Sequence, residues 1–460
     1  MTGVLLSYTN FRAATALAAG AMLLSAAAAS LNAQTTGQTS DPPSWLIPIA
    51  DLNQELPPWL RFDGQYRNRA ERLSGIGYNS KDDDHDLSRL RVKMTIQPTN
   101  WLKFVGEMQD SRIFGNRNVP SAPPYQNAFD IWQAYVQLGS ASDGWFDIAA
   151  GRQVLSFGDE RLIGPADWLN VPRTFDAVRL DLHHTWFRLS LFSSAVVLAR
   201  DGVIDHHYEG NNLHGAYGSL TRIVPHATLE PYVLWRVAPA TLRLSENAGR
   251  GALSEATMGA RLDGKLPGVL EYDVEMARQA GSLGPDSIDS WASHWNIAKP
   301  LNMRLKPRPF LEANYASGTK DPTGRTWGTF DQIYPSNHNK LGFADQVGWR
   351  NIEQVRAGVS ETVSRKWKFT ETYGNFWLAS ARDALYSLSG APVAQSPTGS
   401  AGRHVGQEAD AWAERNWKEV LSLGFGYARF LTGAFLNRTT SGKDFNYPFV
   451  YMTYRFTQGL

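Results

Sequence analysis

Between Trp59 and Phe456 the chain is a succession of stretches, each about ten residues long, in which apolar and polar side chains alternate. The run from Arg89 to Ile96 sets the pattern. Leu90, Val92, Met94 and Ile96 fall on one phase, and Arg89, Arg91, Lys93 and Thr95 on the other. A strand points successive side chains to opposite faces, so such a stretch has one greasy face and one charged face. A soluble sandwich would bury the greasy face. Repeated about eighteen times without helices, and behind an export signal, the pattern instead describes a transmembrane antiparallel β-barrel with lipid outside and water inside. In hydrocarbon every backbone N–H and C=O needs an internal partner, and a closed sheet leaves no edge unpaired.

The export signal is at the N-terminus. Arg12 precedes an alanine-rich apolar run, Ala13 to Ala29, and small residues lead to Ala33-Gln34. Residues 1–33 therefore read as a cleaved secretory signal, and nothing downstream resembles a second apolar span. Residues 34–57, rich in Thr, Ser, Gln and Pro, read as a mature N-terminal extension, and 58–460 as a single barrel domain. A mean hydropathy of −0.34 does not conflict with a membrane location, because a barrel needs apolar residues only at alternate strand positions. Sixteen Trp, 17 Tyr and 21 Phe would furnish aromatic girdles at two membrane interfaces, although an aromatic-rich secreted glycan binder shares that composition. With 45 Lys+Arg against 44 Asp+Glu there is no bulk basicity to attract nucleic acid. The absence of cysteine excludes disulfides, thiol catalysis and thiolate metal sites.

Connectors sharpen the picture. Tight turns such as Gln97-Pro98-Thr99-Asn100 and Val224-Pro225-His226 alternate with longer stretches at 70–85, 112–128, 156–174, 198–211, 237–251, 318–349, 380–403 and 431–445. Short periplasmic turns and long outer loops are the habit of bacterial outer-membrane barrels. Eighteen strands are expected. The segments 288–298 and 364–379 are weak, the latter with Glu371 in the apolar phase, so sixteen is the alternative. A barrel of that size is too wide for wall side chains to fill, which leaves a lumen.

The segments Gly151–Gly164 (GRQVLSFGDERLIG), Trp168–Leu180 (WLNVPRTFDAVRL), Phe330–His338 (FDQIYPSNH) and Val405–Asp410 (VGQEAD) resemble the alginate-export family of outer-membrane proteins. The resemblance covers most of the chain after the signal. It implies an eighteen-stranded barrel in the outer membrane of a Gram-negative bacterium, with an electropositive constriction for an anionic polyuronate. It does not imply alginate itself, since the family is broad. The partners it implies are outer-membrane lipid and lipopolysaccharide, an anionic polysaccharide or small anionic solute, and periplasmic export partners if a polymer is carried.

A pore that passes a polyuronate wants cations spaced along its wall, and arginine can hold a carboxylate through two nitrogens. With the apolar phase facing lipid, Arg61, Arg67, Arg89, Arg91, Lys93, Arg179 and Arg356 face the lumen, as do Arg188, Arg236, Arg261 and Arg455. Lumen-phase Glu107, Asp181, Glu230, Glu271, Asp273 and Glu275 leave a second reading open, in which the arginines pair with carboxylates and stiffen the wall. Arg152, Arg161 and Arg173 belong to the family-like stretch between strands five and six. A loop in this place can fold inward and narrow the pore, clamped by Asp159, Glu160, Asp167 or Asp176, or it can be a packed external loop whose charges satisfy one another. Asp82, Asp84 and Asp86 form an acidic run in the expected first outer loop. The run lacks an EF-hand glycine and distal glutamate, so it reads first as a solvated loop and only second as a divalent-cation site. His206-His207 with His214 is a weaker pattern still, because adjacent strand residues face opposite ways. No nucleophile elbow, phosphate loop or dinucleotide fingerprint is present, so neither an enzyme nor a cofactor is expected. The leading expectation is a passive anion-biased channel of the alginate-export kind. The alternative is a general or small-substrate porin for sugars or organic acids, which needs only one short constriction.

Overall fold

The computed structural model describes residues 48–457 apart from 141, 143, 243–249, 269, 364–366 and 418–419. The expected signal at 1–33 lies outside the described residues, as does most of the extension. The end of that extension is a helix, α1 (Pro48–Glu55). Asn53 ties it to the barrel, its side-chain amide accepting from the N–H of Phe62 at 2.8 Å and donating to the Phe62 carbonyl at 2.7 Å.

Eighteen long strands follow: β1 (Leu60–Ile76), β2 (Lys81–Thr99), β3 (Leu102–Phe114), β4 (Asn127–Gly139), β5 (Phe146–Gln153) and β6 (Phe175–His183). Next come β7 (Phe187–Leu198), β8 (His206–Leu220), β9 (Ala227–Ala238), β10 (Leu253–Leu266), β11 (Leu270–Leu283) and β12 (Asp286–Ala298). The last six are β13 (Arg308–Ala316), β14 (Ile352–Thr362), β15 (Trp367–Leu378), β16 (His404–Trp417), β17 (Leu421–Thr432) and β18 (Phe445–Arg455). Each pairs antiparallel with its chain neighbours, and β18 returns to β1 from Gln65↔Arg455 to Ser74↔Asn446. The barrel is closed. Sixteen strands are thereby excluded, since both weak segments pair fully as β12 and β15. At the seam Gly64 lacks the Cβ that would strike the ring of Phe456, whose N–H donates to the Gly64 carbonyl at 2.9 Å.

The two faces separate as the alternation requires. Leu90, Met94, Met108, Val178, Val233, Met258, Met276, Leu311 and Val355 are exposed outside, whereas Arg67, Arg89, Arg91, Glu107, Arg236, Glu275 and Arg356 are buried inside. Glu371 keeps the outward phase near the short-turn end, opposite Val359 and Ala411.

One expected loop is absent. Segment 70–85 is strand: β1 and β2 run on and turn only at 77–80. Ser74 donates to Asp82 at 2.9 Å, Arg72 meets Asp84 at 3.7 Å and, on the inner face, His85 meets Glu71 at 3.1 Å. These cross-strand partners make a polar sequence a good hairpin. The remaining long connections lie at one end of the barrel, except that β11 and β12 join there through Gly284-Pro285 alone.

The lumen is not an open tube. The β5–β6 loop (154–174) and the β13–β14 loop (317–351) fold into its long-loop half and zip together. The N–H of Tyr334 donates to Leu162, that of Gly164 to Tyr334 and that of Ser336 to Glu160, each at 2.9 Å. Around this ribbon packs an apolar core: Leu155, Ile163, Phe330 and Trp349 from the loops, with Phe175, Phe376 and Phe430 from the wall. Burial of each large apolar side chain contributes about 1.5–3 kcal/mol, so the loops are seated by the force that seats a protein interior. Toward the short-turn end the lumen remains open as a cavity of about 1230 Å³.

Candidate functional site

The inward loops meet the wall through charge, and most of the expected pore arginines make that contact. Arg67 donates to the carbonyls of Asp167, Trp168 and Leu169 at 2.8–3.0 Å. Arg89 donates to the Asp167 and Leu169 carbonyls and pairs with the Asp167 carboxylate at 3.1 Å, while Arg91 reaches the other carboxylate oxygen at 2.9 Å. Arg91 also lies 3.4 Å above the ring of Trp132. Strand alternation sets the positions on β1 and β2, and the antiparallel register puts Arg67 opposite Arg89. Burial alone would raise the Asp167 carboxyl, but Arg89, Arg91 and Arg67 hold it well below the ordinary carboxylate range. Trp168 completes this anchor. It stacks on His338 of the second loop at 4.1 Å and lies under Arg69 at 4.1 Å.

A second anchor crosses to the opposite wall. Arg161 pairs with Glu312 of β13 at 3.2 Å and with Asp159 at 3.2 Å, and Glu312 also binds Arg356 of β14. Lys340 of the second loop closes on Asp159. Burial pushes the Asp159 carboxyl upward, yet Arg161 and Lys340 bring it below its usual range. Arg173 is a third fastening, donating to the carbonyls of Gly164 at 2.9 Å and Pro335 at 3.3 Å. Arg236 joins the wall to Asp331 at 2.7 Å.

Other expected residues stand apart. Arg61 donates to the Pro57 and Leu60 carbonyls at the short-turn rim. Lys93 faces Asp63 at 3.5 Å, and Arg179 faces Asp181 at 2.7 Å. Glu160 contributes to the clamp through its backbone carbonyl, while its carboxylate takes the Ser156 hydroxyl. Arg152 and Asp176 are corrections. They pair at 2.9 Å directly across β5 and β6, in the outward phase of Phe146 and Val178, so neither lines the pore nor clamps the loop. Asp82, Asp84 and Asp86 are a third correction: they sit on β2 at alternate positions, and Ser74, Arg72 and Asn68 engage them one by one. The residues unforeseen from sequence are Glu312, Lys340, Asp331 and Arg69. Arg69 was the last residue of the expected first strand, and carrying the alternation on from Arg67 would have found it.

The cavity beneath the loops has Asp159, Arg161, Asn339 and Lys340 above it, with Arg308, Lys368, Glu271, Asp273, Tyr272 and Trp412 among its walls. Asp159, Asp273 and His294 bring three metal-type donor atoms within 4.8 Å of one another. Arg161 stands 3.2 Å from both His294 and Asp159, and Arg261 grips Asp273 with two nitrogens. Guanidinium groups thus already occupy the cationic role there.

A closed barrel of eighteen strands with inward loops matches solved outer-membrane channels of Pseudomonas aeruginosa. OpdK, solved with vanillate, superposes with a TM-score of 0.56 at 11% identity, covering 86% of this chain and 98% of that one. OpdO gives 0.55 at 13%, over 88% and 98%. OccD3 (OpdP) gives 0.55 at 12%, over 86% and 91%. At such identities the likeness is one of fold. No curated protein matches the chain. The family model for alginate export matches residues 58–450. The chain belongs to the alginate-export family. This family member is an outer-membrane channel, with its family and fold those of transport proteins. Its long-loop end is therefore external and its short-turn end periplasmic.

Proposed function

We propose that this alginate-export family member is a loop-gated channel for small polar or anionic solutes, such as organic acids or short saccharides. One observation carries the reading: the arginines that would form a basic track are engaged by carboxylates and loop carbonyls. A polymer needs a continuous run of weakly held cations, whereas Arg67, Arg89, Arg91, Arg161 and Arg356 are buried in ion pairs and hydrogen bonds. The open lumen is a periplasmic vestibule of about 1230 Å³ with interleaved charges, roomy enough for a small solute. The solution of OpdK with vanillate supports the organic-acid arm by analogy of fold alone. Family membership favours a second reading, passage of an anionic polyuronate after the loops withdraw.

Single-channel recording in a planar bilayer separates the two. Weak ion selectivity, block by millimolar aromatic or sugar acids and indifference to polyuronate support the small-solute channel. Strong anion selectivity with micromolar polyuronate block would overturn it in favour of the polymer.

A further inference from the structure

Where the first inward loop rejoins the wall, a small cavity of about 140 Å³ lies between β4, the 199–205 connection and Val171–Thr174. Three oxygen-bearing side chains meet at it. Asn127 and Asp130 of β4 and Asp205 at the end of the connection are 1%, 5% and 6% exposed. Asn127 Nδ2 donates to Asp205 Oδ2 at 2.8 Å, and the Asp205 N–H donates to Asp130 Oδ1 at 3.0 Å. Arg200 adds its N–H to Asp205 Oδ1 at 2.7 Å.

Two features are out of keeping with a knot of purely structural hydrogen bonds. Buried carboxylates pair with a cation, coordinate a metal or share a proton, and Glu312 and Asp331 take the first course with arginines here. Among the described residues, no side-chain cation forms an ion pair with Asp130 or Asp205. The neighbouring Arg152 gives its charge to the Asp176 carboxylate and reaches Asp205 only at the backbone carbonyl, 2.8 Å away. His207 also pairs with Asp176, and Arg173, which lines the cavity too, is held by the Gly164 and Pro335 carbonyls. The second feature is Asn127 Oδ1, a buried acceptor without a hydrogen-bond donor on the wall of a cavity already rich in acceptors. A buried acceptor left in that condition is costly.

We propose that this cavity binds a hard divalent cation, calcium by its all-oxygen donor set, through Asp130, Asp205 and Asn127 Oδ1. Calcium takes six to eight oxygens in flexible geometry, so three protein oxygens leave positions for water. A water occupies about 30 Å³, and the cavity has room for the ion and a few of them. The bound ion joins β4 to the 199–205 connection beside the base of the gate. There the Val197 N–H donates to Thr174 and the Val171 N–H to Pro124. The site is independent of which solute the channel carries.

The test uses the full chain refolded in lipopolysaccharide-free detergent, stripped with EDTA and titrated separately with calcium and magnesium chloride. Calcium should raise the thermal midpoint at submillimolar to millimolar concentration, and magnesium should do so less. Asp130→Asn with Asp205→Asn should abolish the shift while still folding, because neutral amides relieve the repulsion. Terbium is a second readout. Trp132 lines the same cavity, so bound terbium should emit on tryptophan excitation, calcium should compete the signal away, and Trp132→Phe should remove most of it. An unchanged wild-type midpoint with no sensitised terbium emission would overturn the proposal, as would a calcium shift that survives in the double variant.

Discussion

Asp167→Asn would leave Arg89 and Arg91 without their shared carboxylate, with loop carbonyls and Gln side chains as their remaining partners. Half of the Asp167 side chain is open to lumen water, so the loss should be moderate, about 1–3 kcal/mol for a hydrogen-bonded charge. The uncovered guanidiniums should move the reversal potential toward anion selectivity, readable in a salt gradient. The same carboxylate gives the channel an acid response. A folded-state value held below the ordinary one contributes stability that is fully present above about pH 4 and is lost as pH falls toward the folded value. Asp159 is depressed in the same direction. Conductance of the wild type should therefore rise as pH drops below about 4, and Asp167→Asn should blunt that rise. No change in wild-type conductance down to pH 3 would argue against charge as the latch.

Glu312 is the corresponding point at the level of elements, since it joins β13, β14 and the first loop. Glu312→Gln removes the carboxylate shared by Arg161 of the first loop and Arg356 of the wall and should cost about 3–5 kcal/mol, the range for breaking a buried pair, measured as a lowered unfolding midpoint. Trp349→Ala acts on the other loop. Trp349 packs edge-on against Phe330 at 5.4 Å, and a cavity of that kind costs about 3–5 kcal/mol. The loss should fall on the loop, so protease should nick 317–351 sooner while the barrel keeps its resistance to detergent. Strand number and phase were legible, because period-two alternation speaks directly about which face is wet, whereas the inward course of the β5–β6 loop was one of two open readings and rested on its place in a wide barrel. What the alternation could not give was partnership. Arg152 was assigned to the lumen because loop context outweighed its outward strand phase, and polarity at 70–85 looked like a loop because cross-strand pairs such as Ser74–Asp82 are invisible until register is known. Likewise 318–349 read as an external loop, although its apolar residues Phe330, Ile333, Phe343 and Trp349 already matched a buried segment.

For the whole molecule, compensation of charge matters more than its total. Net charge is +1, and inside the lumen arginines and carboxylates are matched locally rather than sorted into zones. Such a pore should discriminate weakly between potassium and chloride, and its selectivity should depend little on salt, because close pairs are screened less than open charge. The short parallel ribbon at Ile163 and Tyr334 has a further consequence for timing. Two plugs swinging independently would produce graded intermediate currents. Here the strip 160–166 cannot leave its seat without tearing from 334–336, so both must go in one cooperative jump. Recordings should accordingly show two current levels separated by a single slow step, with dwell times set by the wall contacts of both joined loops rather than by those of either plug alone.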